Sequence, residues 1–212
     1  MPDYTALHQA VISGKVAQVK ELTQAALSAG ANPQEVLDQG LIPAMDSVGQ
    51  KFSCHEFYIP EMLIAARAMQ AGIALLKPGL AAQGGKPRGK VVIGTVKGDI
   101  HDIGKNLVTM MMTGAGYEVV DLGTDVPQEK FVEAVSQVHP DLVGLSALLT
   151  TTMLEMKGII QTIRDAFPNP PKILVGGAPV TQKFADEIGA DGYGEDAVRA
   201  VEVADRLISP GC

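Results

Sequence analysis

The sequence predicts a two-part α/β protein, an N-terminal four-helix bundle followed by a five-stranded, doubly wound parallel sheet. In residues 1–76, apolar side chains recur at three- and four-residue steps, the period of amphipathic helices. The second half instead alternates short β-branched runs with helical stretches, a pattern typical of βαβ units. Between them, residues 77–89 are rich in Gly, Pro and basic residues, which favours a linker. We place the boundary near Gly85, with domains over 1–84 and 90–212.

The first part carries signals for four helices. Apolar residues at helical spacing predict the first two within residues 7–27. Asn32 and Pro33 have the pattern of an N-cap and a first helical position, so a third helix is predicted over 33–52. A fourth is predicted over 59–76. Because short amphipathic helices joined by tight turns bury their apolar faces against one another, we expect a small bundle that caps the second part.

The second part carries five strand patterns with helical patterns between them. The strands are predicted over 91–96, 117–123, 141–147, 172–177 and 190–194, and the helices over 104–115, 127–138, 152–166, 181–188 and 196–208. This order predicts a flavodoxin-like or Rossmann-like sheet, in which ligands bind beyond the carboxyl ends of the strands. The candidate loops are therefore those that follow Val96, Leu122, Ser146 and Val175.

Composition excludes several classes of protein. The 212 residues are 46% hydrophobic and 19% charged, which fits a soluble globular protein. The net charge of −7 argues against nucleic acid or an anionic membrane as a partner. We find no uninterrupted apolar run near the ~20 residues that span a bilayer, and no signal-peptide pattern. The two cysteines, Cys54 and Cys212, cannot form a disulfide framework, and reduced thiols fit a cytoplasmic location.

Asp99 and His101 follow the first predicted strand and are two residues apart. In an extended loop the carboxylate can reach one imidazole nitrogen, which fixes the tautomer and leaves the other nitrogen as a lone-pair donor. Gly104 then allows close backbone approach where the next helix begins. A capping Asp followed by a loop histidine would produce the same pattern, so the pair alone leaves both interpretations open.

Two more loops carry candidate binding residues at successive strand ends. Ser146 follows the third strand and could hydrogen-bond the Asp99 carboxylate or a buried ligand, although a helix cap explains it equally. The threonines at 150–152 fit a run of caps. Gly176 and Gly177 follow the fourth strand, where they permit close approach of a bulky ligand or form a tight turn.

Together these residues resemble the B12-binding module of cobalamin-dependent methyltransferases and mutases, with its signature Asp-x-His-x-x-Gly, Ser-x-Leu and Gly-Gly. The sequence has Asp99-Ile-His101-Asp-Ile-Gly104, then Ser146-Ala-Leu148, then Gly176-Gly177. The stretch from Lys51 to Met69 is similar to the end of the four-helix cap of methyl-carrying corrinoid proteins. The resemblance covers nearly the whole chain and points to the small corrinoid subunits of methylamine, methanol, betaine and aryl methyl ether methyltransferase systems.

The resemblance implies cobalamin bound base-off and His-on, with its nucleotide tail entering beside the sheet. His101 would ligate the cobalt, Asp99 would hold the other imidazole nitrogen, and Ser146 would extend that relay. Further residues implied to contact the cofactor are Gly98, Asp102, Ile103, Gly104, Leu148, Thr150, Gly176, Gly177, Ala178, Tyr193, Gly194 and Asp196.

The cap is implied to shield the upper face of the corrin. Tyr58, Ile59 and Met62 lie at spacings that could place an apolar surface there. Packing inside the bundle would explain Met62 equally well. If these residues form a lid, methyl transfer requires it to move, which the predicted linker would permit.

In function, the resemblance implies a protein that carries a methyl group on cobalt and completes no turnover alone. A substrate-specific methyltransferase of the methylamine or aryl methyl ether O-demethylase type would load the methyl group. A second methyltransferase would pass it to an acceptor such as tetrahydrofolate, and a reductive activase is a further implied partner. Neither nucleic acid nor a membrane is expected as a partner.

Other classes of protein share part of this pattern. An adenosylcobalamin mutase subunit would share the Asp-x-His-x-x-Gly module, but the helical cap argues against it. A B12-dependent regulator or sensor would share both parts, yet such proteins usually add a DNA-binding domain, and this chain is acidic and lacks Trp. If the chain were a flavodoxin-like protein that binds another ligand, the presence of the three motifs in the right order would be a coincidence. A zinc site at Cys54, His55 and Glu56 is not favoured, because adjacent residues rarely converge on one ion.

Overall fold

The computed structural model describes residues 3–82 and 87–208 and divides into two compact units. The helical unit comprises Met1–Arg88 with Thr113–Gly116, and the α/β unit comprises Gly89–Met112 with Tyr117–Cys212. The predicted boundary at Gly85 and the thiol of Cys212 lie outside the described residues. The other cysteine, Cys54, is exposed and free.

The helical unit contains helices in all four predicted regions. They are α1 (Thr5–Ile12), α2 (Val16–Ser28), α3 (Pro33–Glu35), α4 (Ile42–Ser53) and α5 (Ile59–Ala82), with a π-helical segment (Val36–Leu41) joining α3 to α4. The predicted start of the third helix is confirmed, because the Asn32 side chain accepts a hydrogen bond from the backbone N–H of Gln34 at 2.8 Å. Pro33 follows at the first position, where its missing N–H costs nothing.

Helix α5 continues past its predicted end at residue 76 and includes the first part of the predicted linker. Pro78 lies inside it, although proline removes a helical hydrogen bond and usually ends a helix. A Cβ at Gly79 would lie 2.6 Å from Pro33 Cγ, so this glycine allows α5 to pack closely against the start of α3. The prediction of a linker over residues 77–82 is wrong, because this tertiary contact outweighs the local breaking tendency of Pro and Gly.

Helix α5 is also long and apolar enough to cross a membrane, by length and composition alone. One such helix is weak evidence, because the core helix of a soluble protein meets the same criteria. Met62, Met69 and Leu76 of α5 are fully buried, as the apolar stripe of a core helix is.

The α/β unit has the predicted alternation of strands and helices. Its elements are β1 (Lys90–Thr95), α6 (Ile103–Gly114), β2 (Glu118–Asp121), α7 (Gln128–Val138), β3 (Leu142–Ser146), α8 (Glu155–Ala166), β4 (Lys172–Gly176), α9 (Gln182–Ile188), β5 (Gly192–Gly194) and α10 (Ala197–Ile208). All strand pairs are parallel, in the order β2-β1-β3-β4-β5. This confirms the predicted doubly wound sheet, whose order reverses between β1 and β3.

Packing and register bring the ends of three strands together. Apolar residues of β1, β3 and β4 form one buried cluster with Phe131 of α7 and Ile159 of α8. In the sheet, Thr95 pairs with Ser146, and Ser146 pairs with Gly176. The loops that follow β1, β3 and β4 therefore leave the sheet side by side, at the edge where ligands of this fold class bind.

Candidate functional site

A buried carboxylate lies at the centre of the site. The Asp99 side chain, in the loop after β1, has no solvent exposure. Its Oδ1 accepts a hydrogen bond from the backbone N–H of His101 at 3.0 Å and lies 2.8 Å from Nδ1 of the same histidine. Its Oδ2 accepts hydrogen bonds from Thr152 Oγ1 at 2.6 Å and from the backbone N–H groups of Leu148 at 2.7 Å and Leu149 at 3.3 Å.

These donors keep the carboxylate charged. Burial raises the pKa of the Asp99 carboxyl, because it removes water from the charged form. The donated hydrogen bonds outweigh burial and hold the pKa well below its ordinary range. At neutral pH both carboxylate oxygens are therefore acceptors only.

The carboxylate in turn determines the tautomer of His101. Because Asp99 Oδ1 can only accept, the ring Nδ1 must carry the proton and donate it. In the neutral imidazole the lone pair then resides on Nε2. The His101 side chain is 46% exposed, and among the described residues Nε2 has no hydrogen-bond partner. The predicted pairing of Asp99 with His101 is thus confirmed, and it leaves the lone pair of Nε2 available.

The turn that carries this pair depends on a glycine. The backbone N–H of Asp99 donates to the carbonyl oxygen of Val96 at 3.2 Å, which closes a four-residue turn. Gly98, at the third position of that turn, has φ +80°, a conformation that favours glycine. The structure therefore explains Gly98 by the turn, whereas the sequence prediction assigned it to cofactor contact.

The hydroxyl that reaches Asp99 belongs to Thr152 and not to Ser146. Ser146 is the last residue of β3, and its carbonyl oxygen accepts a hydrogen bond from the N–H of Val96 at 3.0 Å. The chain then turns over residues 148–154 before α8 begins at Glu155, three residues later than predicted. This turn folds Thr152, only 8% exposed, back over Asp99. The contact predicted for Ser146 is therefore corrected to Thr152.

The glycine pair after β4 is explained by packing within the chain. A Cβ on Gly176 would lie 2.9 Å from the carbonyl oxygen of Gly194 in β5. Gly177 has φ +127°, and a Cβ there would lie 1.8 Å from the carbonyl oxygen of Ala147. No side chain fits either position in this packing.

Gly104, in the first turn of α6, is the opposite case. A Cβ added there would meet nothing within 4 Å, and its backbone does not require glycine. Glycine inside a helix costs roughly 0.5–1 kcal/mol relative to alanine. Since neither packing nor conformation of the chain accounts for this cost, the open space beside Gly104 fits a ligand that approaches the backbone closely.

Exposed apolar side chains flank His101. Ile100 and Ile103 are 75% and 85% exposed, and Leu148 and Leu149 on the neighbouring loop are 44% and 41% exposed. We refer to these four residues as the apolar rim. Exposed apolar side chains clustered on two segments that hydrogen-bond each other are typical of a binding site. The sequence prediction included Ile103 and Leu148 but missed Ile100 and Leu149, which loop position alone does not distinguish from ordinary surface residues.

Other predicted contacts have roles within the chain or remain exposed. Asp102 accepts a hydrogen bond from Asn106 Nδ2 at 3.0 Å, and Asp196 accepts one from the backbone N–H of Arg199 at 2.8 Å at the start of α10. Thr150, Leu148 and Ala178 are exposed in their loops, and Tyr193 and Gly194 lie on β5.

Tyr193 has a perturbed hydroxyl. Burial raises the pKa of the Tyr193 hydroxyl, and the nearby charges of Glu195 and Asp196 raise it further. The tyrosine therefore stays neutral over the working pH range of proteins. Its assignment to the cofactor site stays a prediction.

The predicted cap residues belong to the helical unit. Tyr58 and Ile59 are 63% and 50% exposed, whereas Met62 is fully buried. Packing in the protein core therefore accounts for Met62, one of the two explanations the sequence left open. Contact of Tyr58 and Ile59 with a cofactor stays a prediction.

The donor set of the site fits a metal held in a macrocycle. In residues 3–82 and 87–208, no three His, Cys, Asp or Glu side chains come together as they would around a free ion, and Cys54, His55 and Glu56 are no exception. A corrin ring supplies four nitrogens of its own and needs only one axial ligand from the protein. His101 Nε2, with Asp99 hydrogen-bonded to the other ring nitrogen and exposed apolar residues nearby in the chain, has the chemistry of such a ligand.

Comparisons with known proteins identify the family. Residues 89–202 and residues 4–77 each match a family described as a B12 binding domain. The chain is 43% identical over 210 residues to a corrinoid protein of Desulfitobacterium hafniense (strain Y51), covering 95% of each. It is 45% identical over 185 residues to the trimethylamine corrinoid protein of Methanosarcina barkeri, covering 86% of this chain and 85% of the relative.

A solved structure extends the match to the whole fold. The chain aligns with one chain of the methanol:cobalamin methyltransferase complex MtaBC from Methanosarcina barkeri with a TM-score of 0.88 and 34% identity. The alignment covers 98% of this chain and 80% of that one. The fold and the site thus define a B12-binding protein of helical and α/β parts. More narrowly, the chain belongs to the family of corrinoid proteins, and its cofactor is cobalamin.

Proposed function

We propose that this corrinoid protein carries a methyl group on cobalt between two methyltransferases. A substrate-specific enzyme of the methylamine class would load the methyl group, and a second enzyme would pass it to an acceptor such as tetrahydrofolate. Support comes from the trimethylamine corrinoid protein and from the MtaBC complex, whose names connect such chains with methylamines and with a methyltransferase. We place the protein in the cytoplasm, with a reductive activase as a further partner.

The observation that carries the proposal is the outward imidazole of His101. When bound, cobalamin supplies a cobalt atom that can hold a methyl group and release it to an acceptor. His101 Nε2 would bind that cobalt from the side of the sheet, with the cofactor's own base displaced. The apolar rim would cover part of the corrin ring.

Asp99 gives this ligand its orientation and basicity. A carboxylate that accepts a hydrogen bond from Nδ1–H makes Nε2 a stronger lone-pair donor and keeps the ring from rotating. Because the hydrogen bonds to Asp99 hold the pKa of its carboxyl low, the carboxylate would stay an acceptor for the Nδ1–H of His101 when cobalamin is bound.

Methylation of the loaded protein tests the proposal. The protein is reconstituted with hydroxocobalamin, reduced to cobalt(I), and mixed with methyltransferases specific for trimethylamine, dimethylamine and methanol, each with its own substrate. We expect the methylcobalamin spectrum with a methylamine pair, and its loss when tetrahydrofolate and a second methyltransferase are added. Methylation by the methanol pair alone would contradict the methylamine class. Absence of methylation in all three, with a matched corrinoid protein of each system as positive control, would contradict loading by an enzyme of the methylamine or methanol class.

A further inference from the structure

Residues 121–126, the last residue of β2 and most of the loop that leads to α7, contact the chain on both sides of His101. We call this segment the support loop. One contact falls at Gly98, before the histidine, and the other at Lys105, after it. The family motif residues and the apolar rim do not include any member of this loop, and none of the roles assigned above depends on it.

The first contact is made by Asp125 through both its side chain and its backbone. Its Oδ1 accepts a hydrogen bond from the backbone N–H of Gly98 at 2.7 Å. Its own backbone N–H donates to the carbonyl oxygen of Asp99 at 2.9 Å. Through these two hydrogen bonds Asp125 holds the turn that presents the Asp99 carboxylate.

Asp125 adopts a costly backbone conformation to make these bonds. Its φ is +53°, in the left-handed region that non-glycine residues seldom occupy. Asp and Asn tolerate this region better than other residues, because their short polar side chains bond to nearby backbone. Residues held in this way are concentrated at functional sites.

The second contact is an ion pair between a buried lysine and a partly exposed aspartate. Lys105 in the first turn of α6 is 2% exposed, and its Nζ donates to Asp121 Oδ2 and, at 2.8 Å, to Asn106 Oδ1. The other oxygen of Asp121 accepts the backbone N–H of Gly123 at 2.9 Å, which fixes the start of the support loop. A buried lysine is stable only when paired, so this contact ties α6 to the support loop.

We infer that the support loop positions His101, and that Asp125 is the positioning residue. Residues 98 and 105 bracket the histidine, and with both anchored to one loop the intervening backbone keeps the imidazole at a set height and angle. Asp125 acts on the ligand through Gly98 and Asp99 and does not touch it. The inference rests on the proposed function, in which His101 Nε2 binds cobalt.

Three substitutions of Asp125 separate the effects of its charge, its hydrogen-bond acceptor and its backbone strain on the position of His101. Asp125→Asn keeps an acceptor for Gly98 and tolerates the left-handed conformation but removes the charge. Asp125→Gly relieves the backbone and removes the acceptor, and Asp125→Ala removes the acceptor while keeping the strain. His139→Ala is the matched control, because His139 also has a positive φ, of 49°, but ends α7 at the opposite edge of the sheet.

The readout is the ratio of His-on to His-off cobalt(II) in protein loaded with cobinamide, a corrinoid that lacks the nucleotide base. Nitrogen splitting in the EPR spectrum measures this ratio at equal occupancy. We expect Asp125→Ala and Asp125→Gly to lower it about tenfold, the effect of one lost hydrogen bond. Asp125→Asn and His139→Ala should stay within about twofold of wild type, a rescue that general destabilisation would not give. A folded Asp125→Ala protein with the wild-type ratio, or an Asp125→Asn protein as low as Asp125→Ala, would overturn the inference.

Amide hydrogen exchange of the apoprotein tests the positioning role of Asp125 without the cofactor. Asp125→Ala should speed exchange at the N–H of His101 and of Leu148, which donate to Asp99, while Asp125→Asn should not. If wild-type protein shows no nitrogen splitting at all, the proposed function fails. The exchange data then still decide the role of Asp125: faster exchange at His101 supports it, and unchanged exchange overturns it.

Discussion

The loops after β1 and β4 both carry residues of the B12-binding signature, yet the structure explains them differently. At Gly177 the space is filled by the chain, since a Cβ would lie 1.8 Å from a backbone oxygen. At Gly104 the space is open, and beside it His101 Nε2 and the apolar rim face outward. A residue of the motif can therefore be required either by the packing of the fold or by a bound ligand. The space around the backbone distinguishes the two.

Gly177→Ala should have the largest effect, and it should be on folding. The new Cβ meets the backbone of Ala147, which cannot move aside cheaply, and the φ of +127° adds strain. We expect a loss of roughly 3 kcal/mol or more in the unfolding free energy of the apoprotein. Denaturant titration measures it, with Ala178→Ser on the exposed neighbour as control. A variant as stable as wild type that no longer binds cobalamin would show that the pair serves the ligand instead.

Thr152→Val should come next. It removes a hydroxyl donor from a buried, charged acceptor, which costs about 2 kcal/mol of unfolding free energy at neutral pH. Ser146→Ala is the matched control and should change stability by less than ~0.5 kcal/mol. Equal losses in the two variants would contradict the assignment of the hydroxyl to Thr152.

The pH dependence of that loss has a definite sign. The pKa of Asp99 is lower in the folded chain than in the unfolded chain, so its contribution is present above the ordinary carboxyl range and is lost as the pH falls through the folded pKa. Removal of the Thr152 donor raises the folded pKa. Because the unfolded state is common to both proteins, the stability gap between wild type and Thr152→Val should be full above the folded pKa of Asp99 in the variant and shrink as the pH falls from there toward the lower folded pKa of wild type. A gap independent of pH would mean that the hydroxyl acts through packing alone.

Gly104→Ala should have the smallest effect on stability and the opposite sign. In a helix with open space around it, alanine should stabilise the apoprotein by roughly 0.5–1 kcal/mol while weakening cobalamin binding. Gly158→Ala in α8 is the control, since its Cβ would meet only Gln128 Oε1 at 3.5 Å. It should stabilise similarly and leave binding unchanged. Unchanged cobalamin affinity in Gly104→Ala would show that Gly104 is not needed to make room for the ligand.

Much of the fold could be predicted from local pattern. The β-branched runs predict where the strands begin and end. Because these strands have buried faces, few alternative registers are possible. The pairing of Asp99 with His101 follows from their spacing, because residues two apart in a loop can reach each other without help from distant chain.

The rest depended on contacts between distant segments. Helix α5 continues through Pro78 because Gly79 packs on Pro33. Local helix propensity cannot predict this contact, since Pro33 is distant in sequence. Thr152 reaches Asp99 because the turn after β3 folds back over it. The sequence shows several hydroxyl residues in this loop but does not show which of them the turn brings to Asp99.

The most direct test of the central claim is the EPR spectrum of the cobalt(II) protein loaded with cobinamide, compared with that of His101→Ala. The account predicts nitrogen splitting in wild type, since His101 Nε2 is the only nitrogen offered to the metal by the site described above, and none in a His101→Ala protein that still retains the corrinoid. Splitting that persists in His101→Ala would show that another residue is the ligand. A wild-type protein that holds the corrinoid without any splitting would contradict His-on binding.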